Sequence, residues 1–147
     1  MPVHIFYGSS TGTAEGAANS MVEVFEKQGD VEVHDMMDAE IDALVPGDFH
    51  VFVCATYGEG ELPAGAEYFF QTLDDEAPDL TGLRFAVFGL GDKIYEETYN
   101  QGGKLISKHL EDLGAERIGE RAEHDNSGDE DPDETAVEWA QGILPLI

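Results

Sequence analysis

The sequence predicts an α/β fold: a five-stranded parallel sheet covered by helices on both faces. Three observations carry this. Strand-like and helix-like patterns alternate along all 147 residues, as they do where helices connect parallel strands. Two strand-like runs, 50–55 and 84–89, are rich in apolar residues, which suits strands buried on both faces. Loops rich in glycine, hydroxyl and aromatic residues follow the first, third and fourth strands. Ligands in such sheets bind beyond the C-terminal strand ends, where the strand order switches.

The elements follow in order. Residues 3–7 read as the first strand. Ala14, Ala17, Ala18, Met21, Val22 and Phe25 then mark one face of a helix, which Gly29 can terminate. Residues 31–36 alternate as a second strand, and 39–45 suit a short helix. After the strand at 50–55, residues 64–73 form a helix carrying Tyr68, Phe69 and Phe70. The strand at 84–89 precedes a helical stripe of Leu105, Ile106, His109, Leu110 and Leu113, closed by Gly114. Residues 115–122 are a weaker fifth strand. The last helix starts at Asp131-Pro132-Asp133-Glu134, an N-cap with proline at N1 and an acid at N3. Its inward face holds Ala136, Trp139, Ala140, Ile143 and Leu144. No linker or repeat divides the chain, so residues 1–147 are expected to form a single domain.

Hydrophobic residues make up 41% of the chain, too many for a disordered polymer. No apolar run approaches the ~20 residues that span a bilayer, and no basic segment precedes an apolar stretch at the N-terminus, so no secretory signal is expected. The single cysteine, Cys54, excludes an intramolecular disulfide. A cytoplasmic setting is the expectation. The charge is unusual: 32 acidic against 7 basic residues, a net −25. The acids are spread along the chain, and their repulsion is screened in molar salt, where the Debye length falls to ~3 Å. A halophilic cytoplasm explains this; an acidic surface kept for solubility is the blander explanation. Nucleic acid and anionic membranes are not expected partners.

The first loop, Gly8-Ser9-Ser10-Thr11-Gly12-Thr13, combines glycines with four hydroxyls at a helix N-terminus, where free N–H groups and the dipole favour an anion. It lacks the Gly-Lys-Ser/Thr of a P-loop and the dinucleotide G-x-G-x-x-G. The first basic residue is Lys27, so a phosphate would be held by hydroxyls and N–H groups alone. An ordinary capped turn has similar composition. The second loop, Ala55-Thr56-Tyr57-Gly58-Glu59-Gly60-Glu61-Leu62-Pro63, and the third, Gly89-Leu90-Gly91-Asp92-Lys93-Ile94-Tyr95, each pair glycines with a tyrosine. Two such rings can sandwich a flat ligand, although half-buried packing accounts for either one singly. Cys54 is followed six residues on by Gly60 rather than arginine, which removes a Cys-x5-Arg phosphatase loop and leaves a core thiol. The five histidines show no ligand spacing, so no metal is expected. No nucleophile–base pair is legible, so no catalytic residues are assigned.

Together the loops resemble the flavodoxin family over the whole chain. The run from Tyr7 to Glu15 is similar to the family's FMN-phosphate signature. The runs 56–61 and 89–96 are especially similar to the FMN domains of diflavin reductases. The stretch from His124-Asp125 to Glu138-Trp139 resembles the MioC-like flavodoxins. With no NADPH/FAD module and no long insertion in strand five, the chain resembles a free-standing, short-chain member.

That resemblance implies a three-layer sandwich with strand order 2-1-3-4-5. It implies FMN as cofactor, held by Ser9, Ser10, Thr11, Gly12, Thr13 and the Ala14 N–H at the phosphate. Tyr57 and Tyr95 would flank the isoalloxazine ring and Gly58 would sit beside flavin N5, within the run Ala55, Thr56, Tyr57, Gly58, Glu59, Gly60. Leu90, Gly91 and Asp92 would meet the ring's polar edge through backbone groups. The family usually reads Tyr-x-x-aromatic after the third loop; Tyr95-Glu96-Glu97-Thr98-Tyr99 has one extra residue, so Tyr99 departs from that pattern.

The implied function is electron transfer between a reductase, linked to NAD(P)H or ferredoxin, and acceptor enzymes, through the flavin's semiquinone and hydroquinone states. The protein would be a monomeric carrier rather than an enzyme, meeting partners with basic docking patches. The alternative is a small FMN-dependent NAD(P)H:quinone oxidoreductase. A flavin-free regulatory module is disfavoured by the intact phosphate loop and both tyrosines.

Overall fold

In chain order, the computed structural model describes residues 2–8, 13–38, 44–55, 64–91, 101–119, 122–125 and 131–147. These form β1 (Val3–Gly8), α1 (Thr13–Phe25), β2 (Val31–Asp35), β3 (Phe49–Ala55), α2 (Ala64–Glu76), β4 (Arg84–Gly91), α3 (Gln101–Asp112), β5 (Glu116–Arg117), β6 (Ala122–Asp125), α4 (Pro132–Ile143) and a 3-10 turn (Leu144–Leu146). The strands make one sheet in the order β2-β1-β3-β4-β5, with β6 also on β4. All the described pairings are parallel. The expected order is therefore present.

Alternation along the strands divides the core into two layers. Ile5, Val51, Val53 and Phe88 face α1 and α4, meeting Ala17, Met21, Phe25, Ala136 and Ala140. Phe6, Phe52, Phe85 and Val87 face α2 and α3, meeting Phe69, Phe70, Leu73 and Leu110. Phe6 and Phe52 stack with centroids 5.2 Å apart, and Phe69 meets Phe70 edge-on at 85°. The central strands are buried on both faces, as their apolar runs require. The result is a three-layer α/β/α sandwich.

Helix starts and stops follow local chemistry. Asp131 caps α4, its Oδ1 accepting from the Asp133 N–H at 2.9 Å, and Pro132 opens the first turn. Gly114 closes α3 at φ +104, a conformation that costs glycine little. Several boundaries differ from the sequence reading: β1, β2 and β3 each differ by one residue at one end, and α2 runs three residues past 73. α1 stops at Phe25, because the Gln28 N–H turns back to the Phe25 carbonyl at 2.9 Å, and Gly29 does not adopt positive φ. The fifth strand divides into β5 and β6, because Gly119 turns the chain at φ +73 hard against α4, where a Cβ would lie 2.6 Å from Ile143 Cδ1. β4 runs two residues beyond the expected 84–89. Most of the short helix expected over 39–45 lies outside the described residues, and Leu44 and Val45 are not helical.

Candidate functional site

Strand order fixes where the site is. From β1 the chain crosses to β2 on one side, then returns to β3, β4 and β5 on the other. The switch lies between β1 and β3. In register, Gly8 is opposite Cys54, and Ala55 is opposite Leu90. The C-terminal ends of β1, β3 and β4 thus meet at one end of the sheet, and the three distinctive loops leave from there. α1 starts at Thr13, with four residues between it and Gly8 at the end of β1, so its N-terminus belongs to the same end. Its first-turn N–H groups lack acceptors one turn back within the helix.

The donor set fits a phosphate monoester. The sequence supplies the hydroxyls of Ser9, Ser10, Thr11 and Thr13, and the structure supplies the first-turn N–H groups of α1. Lys27, the first basic residue, lies just past the far end of α1, about 20 Å from its start. Carboxylates surround this end of β1. Burial raises the Tyr7 phenol above its ordinary pKa, with further upward pressure from Asp35, Glu15 and Asp38. An anion at this end would meet a negative local field, so directed donors rather than net charge would have to hold it.

The expected contact residues are placed as follows. Ala14 is buried in the first turn of α1. Thr13 opens that helix, Ala55 ends β3, and Leu90 and Gly91 end β4 rather than beginning a loop. The Leu90 side chain is fully buried against the α1/α4 layer, so main chain is what it can offer a ligand. Ser9, Ser10, Thr11, Gly12, Thr56, Tyr57, Gly58, Glu59, Gly60, Asp92 and Tyr95 lie outside the described residues, as does Tyr99.

One addition comes from strand pairing. Asp125 is opposite Gly91, so β6 ends at the same edge. The sequence reading ended the fifth strand at residue 122 and did not place Asp125 there; its only signal was the family likeness around His124-Asp125. Gly8 also has a different role from the one its loop suggested. It lies within β1, and a Cβ on it would be 2.8 Å from Ala66 Cβ. It lets the start of α2 press on the end of β1.

Cys54 is buried in the α2/α3 layer, and burial pushes its thiol up to about 12. A thiolate is the reactive form. The native protein is therefore expected to resist iodoacetamide at pH 8 and to be alkylated fully once unfolded, as mass spectrometry would read. Rapid alkylation of folded protein would contradict this burial. Among the described residues no helix is long and apolar enough to cross a membrane.

Comparison with known proteins agrees with this architecture. The family model described as Flavodoxin matches residues 5–139. Human NADPH–cytochrome P450 reductase is 38% identical over 149 residues, covering 97% of this chain and 22% of that protein; the rat enzyme gives the same figures. The chain thus spans about a fifth of the length of these relatives. Among solved structures, a mutant flavodoxin from Pseudomonas aeruginosa has a TM-score of 0.82 at 28% identity, covering 99% of both chains. The flavodoxin of Streptococcus pneumonia TIGR4 has a TM-score of 0.84 at 26% identity, covering 100% of both.

Proposed function

The chain belongs to the flavodoxin family, and from that premise we propose that it binds one FMN at the switch-point end of its sheet and carries electrons between a reductase and acceptor enzymes. The observation that carries this is the meeting of Gly8, Ala55, Gly91 and the start of α1 at one sheet end. When bound, FMN supplies the one- and two-electron chemistry, and the chain binds, orients and tunes it. Ser9, Ser10, Thr11, Gly12, Thr13 and the Ala14 N–H hold the phosphate. Tyr57 and Tyr95 would enclose the ring, Gly58 would lie beside N5, and Leu90, Gly91 and Asp92 would meet the polar edge through main chain. Ala55, Thr56, Glu59 and Gly60 complete the second loop. Glu59, Glu61, Asp92 and Glu96 surround the ring edge with negative charge, which steers basic partner surfaces toward it. The protein works as a monomer in the cytoplasm.

Purified protein is expected to be yellow and to release FMN at one equivalent. Riboflavin should bind at least about a hundredfold more weakly, because two or more charge-assisted hydrogen bonds, roughly 1.5–3 kcal/mol each, are lost with the phosphate. Equal affinity for the two flavins would remove the phosphate assignment. A carrier should also bleach slowly with NAD(P)H alone; rapid bleaching would favour the quinone reductase.

A further inference from the structure

Spacing along the chain gives no metal signature, yet strand pairing gathers one. In register, His4 of β1 is opposite Glu32 of β2, and Phe6 is opposite His34. His4 and His34 are therefore diagonal neighbours on the same face as Phe6, the α2/α3 side, with Glu32 beside both. One ligand atom from each of His4, Glu32 and His34 lies within 4.8 Å of the others.

The hydrogen bonding around His4 is asymmetric. Its Nε2 lies 2.9 Å from Oδ2 of Asp48. A carboxylate only accepts, so Nε2 carries a proton. On a neutral ring Nδ1 then presents a lone pair, and it lies 3.3 Å from Oε2 of Glu32, acceptor facing acceptor. Nε2 of His34 lies 3.6 Å from the same oxygen. Both nitrogens, His4 Nδ1 and His34 Nε2, are buried without a hydrogen-bond partner. A cation between them resolves the conflict. A proton on His4 Nδ1 joins one pair of atoms; a metal ion joins all three.

We propose that His4 Nδ1, His34 Nε2 and Glu32 Oε2 form a binding site for a divalent transition-metal ion of the zinc class. Two imidazoles and one carboxylate suit zinc rather than magnesium or calcium, which prefer all-oxygen sets. In a tetrahedral zinc site with bonds near 2.1 Å, ligand atoms are roughly 3.4 Å apart. The His4–Glu32 and Glu32–His34 separations already match. The histidine rings lie 25° from parallel, so His34 must rotate to aim its nitrogen, which its 26% side-chain exposure permits. Glu32, at 63%, is free to follow. Asp48 fixes the tautomer that leaves Nδ1 open, the usual carboxylate–histidine–metal relation. The His50 ring walls the site, stacked 5.0 Å from His4, and its Nε2 accepts from the Val45 N–H. The ion would clasp β2 to β1, away from the flavin end: His4 is the second residue of β1, whereas the loops leave after Gly8.

The test is isothermal titration of ZnCl2 into the full-length FMN-loaded protein in 1 M KCl, where weak binding to the acidic surface is screened. One saturable equivalent is expected, undiminished by equimolar MgCl2 or CaCl2. His34→Gln should weaken it at least about tenfold, and Asp48→Asn by roughly 10–100-fold, with the flavin spectrum unchanged. Should His34→Gln fail to fold, ring NMR signals decide: one equivalent of ZnCl2 should shift His4 and His34 in the wild type but not His109. Unaltered affinity in the folded His34→Gln variant, no saturable equivalent, or undisturbed His4 and His34 signals would overturn the metal site. Those results would assign the cation to a proton that His4 shares between Glu32 and Asp48.

Discussion

Gly8→Val is expected to lower stability by about 3 kcal/mol and to weaken FMN binding with it. The new Cβ would stand 2.8 Å from Ala66 Cβ, 3.3 Å from Met36 Sδ and 3.6 Å from Ala66 Cα. The methionine can yield. The alanine cannot, because its methyl is fixed to the first turn of α2 and has no rotamer to change. α2 must therefore move away from the end of β1. That helix begins where the second loop ends, so the shift displaces the proposed ring-binding segment relative to the phosphate loop. Thermal unfolding should show a midpoint lower by roughly 10 °C, and FMN titration a weaker complex. Gly142→Ala is the matched control. Nothing lies within 4 Å of its Cβ position and its φ is not positive, so this exposed helical site should be neutral or slightly stabilised. Equal midpoints for Gly8→Val and wild type would contradict the close contact.

The thermal midpoint should also climb steeply with KCl, by roughly 10 °C or more between dilute buffer and molar salt. Two like charges 10 Å apart in water repel by about 0.4 kcal/mol without salt, and the excess of 25 negative charges creates many such pairs. At 1 M salt the Debye length is ~3 Å and most of that repulsion is gone. Each recovered kcal/mol is worth about 3–4 °C in a domain of this size. FMN affinity should rise in parallel, because at the proposed site the anion would enter beside Asp35, Glu15 and Asp38, the carboxylates that act on Tyr7. A flat midpoint would mean that repulsion does not limit the fold, and the halophilic reading would lose its physical basis.

What the sequence disclosed depended on range. Local signals read well: the helical period of Ala14, Ala17, Ala18, Met21 and Phe25 marked residues that are buried, and Asp131-Pro132 marked a helix start. The apolar runs of β3 and β4 identified central strands because burial on both faces leaves no alternation to misread. Signals that depend on distant partners did not read. Gly119 looks like any turn glycine until α4 packs on it, and this hid the division of the fifth strand. Gly8 looked like part of a phosphate loop, and its need for space is set by Ala66, 58 positions later in the chain. The histidines at 4 and 34 are related by strand register, which no spacing rule encodes. For the binding site, the sequence supplied donor chemistry and the fold supplied the common sheet end.

The outer strand has a consequence for how the protein behaves in concentrated solution. Among the described residues β2 pairs with β1 alone. Its other side therefore offers main-chain groups to which a second molecule's strand can add. What defends it is electrostatic: Glu32, Asp35 and the flanking Asp30 set like charges against like when two rims approach. Salt then acts in opposite directions on two properties. It firms each molecule by quieting internal repulsion, and it lowers the barrier that keeps molecules from associating rim to rim. The ionic strength that best preserves the fold is thus not the one that best preserves dispersion.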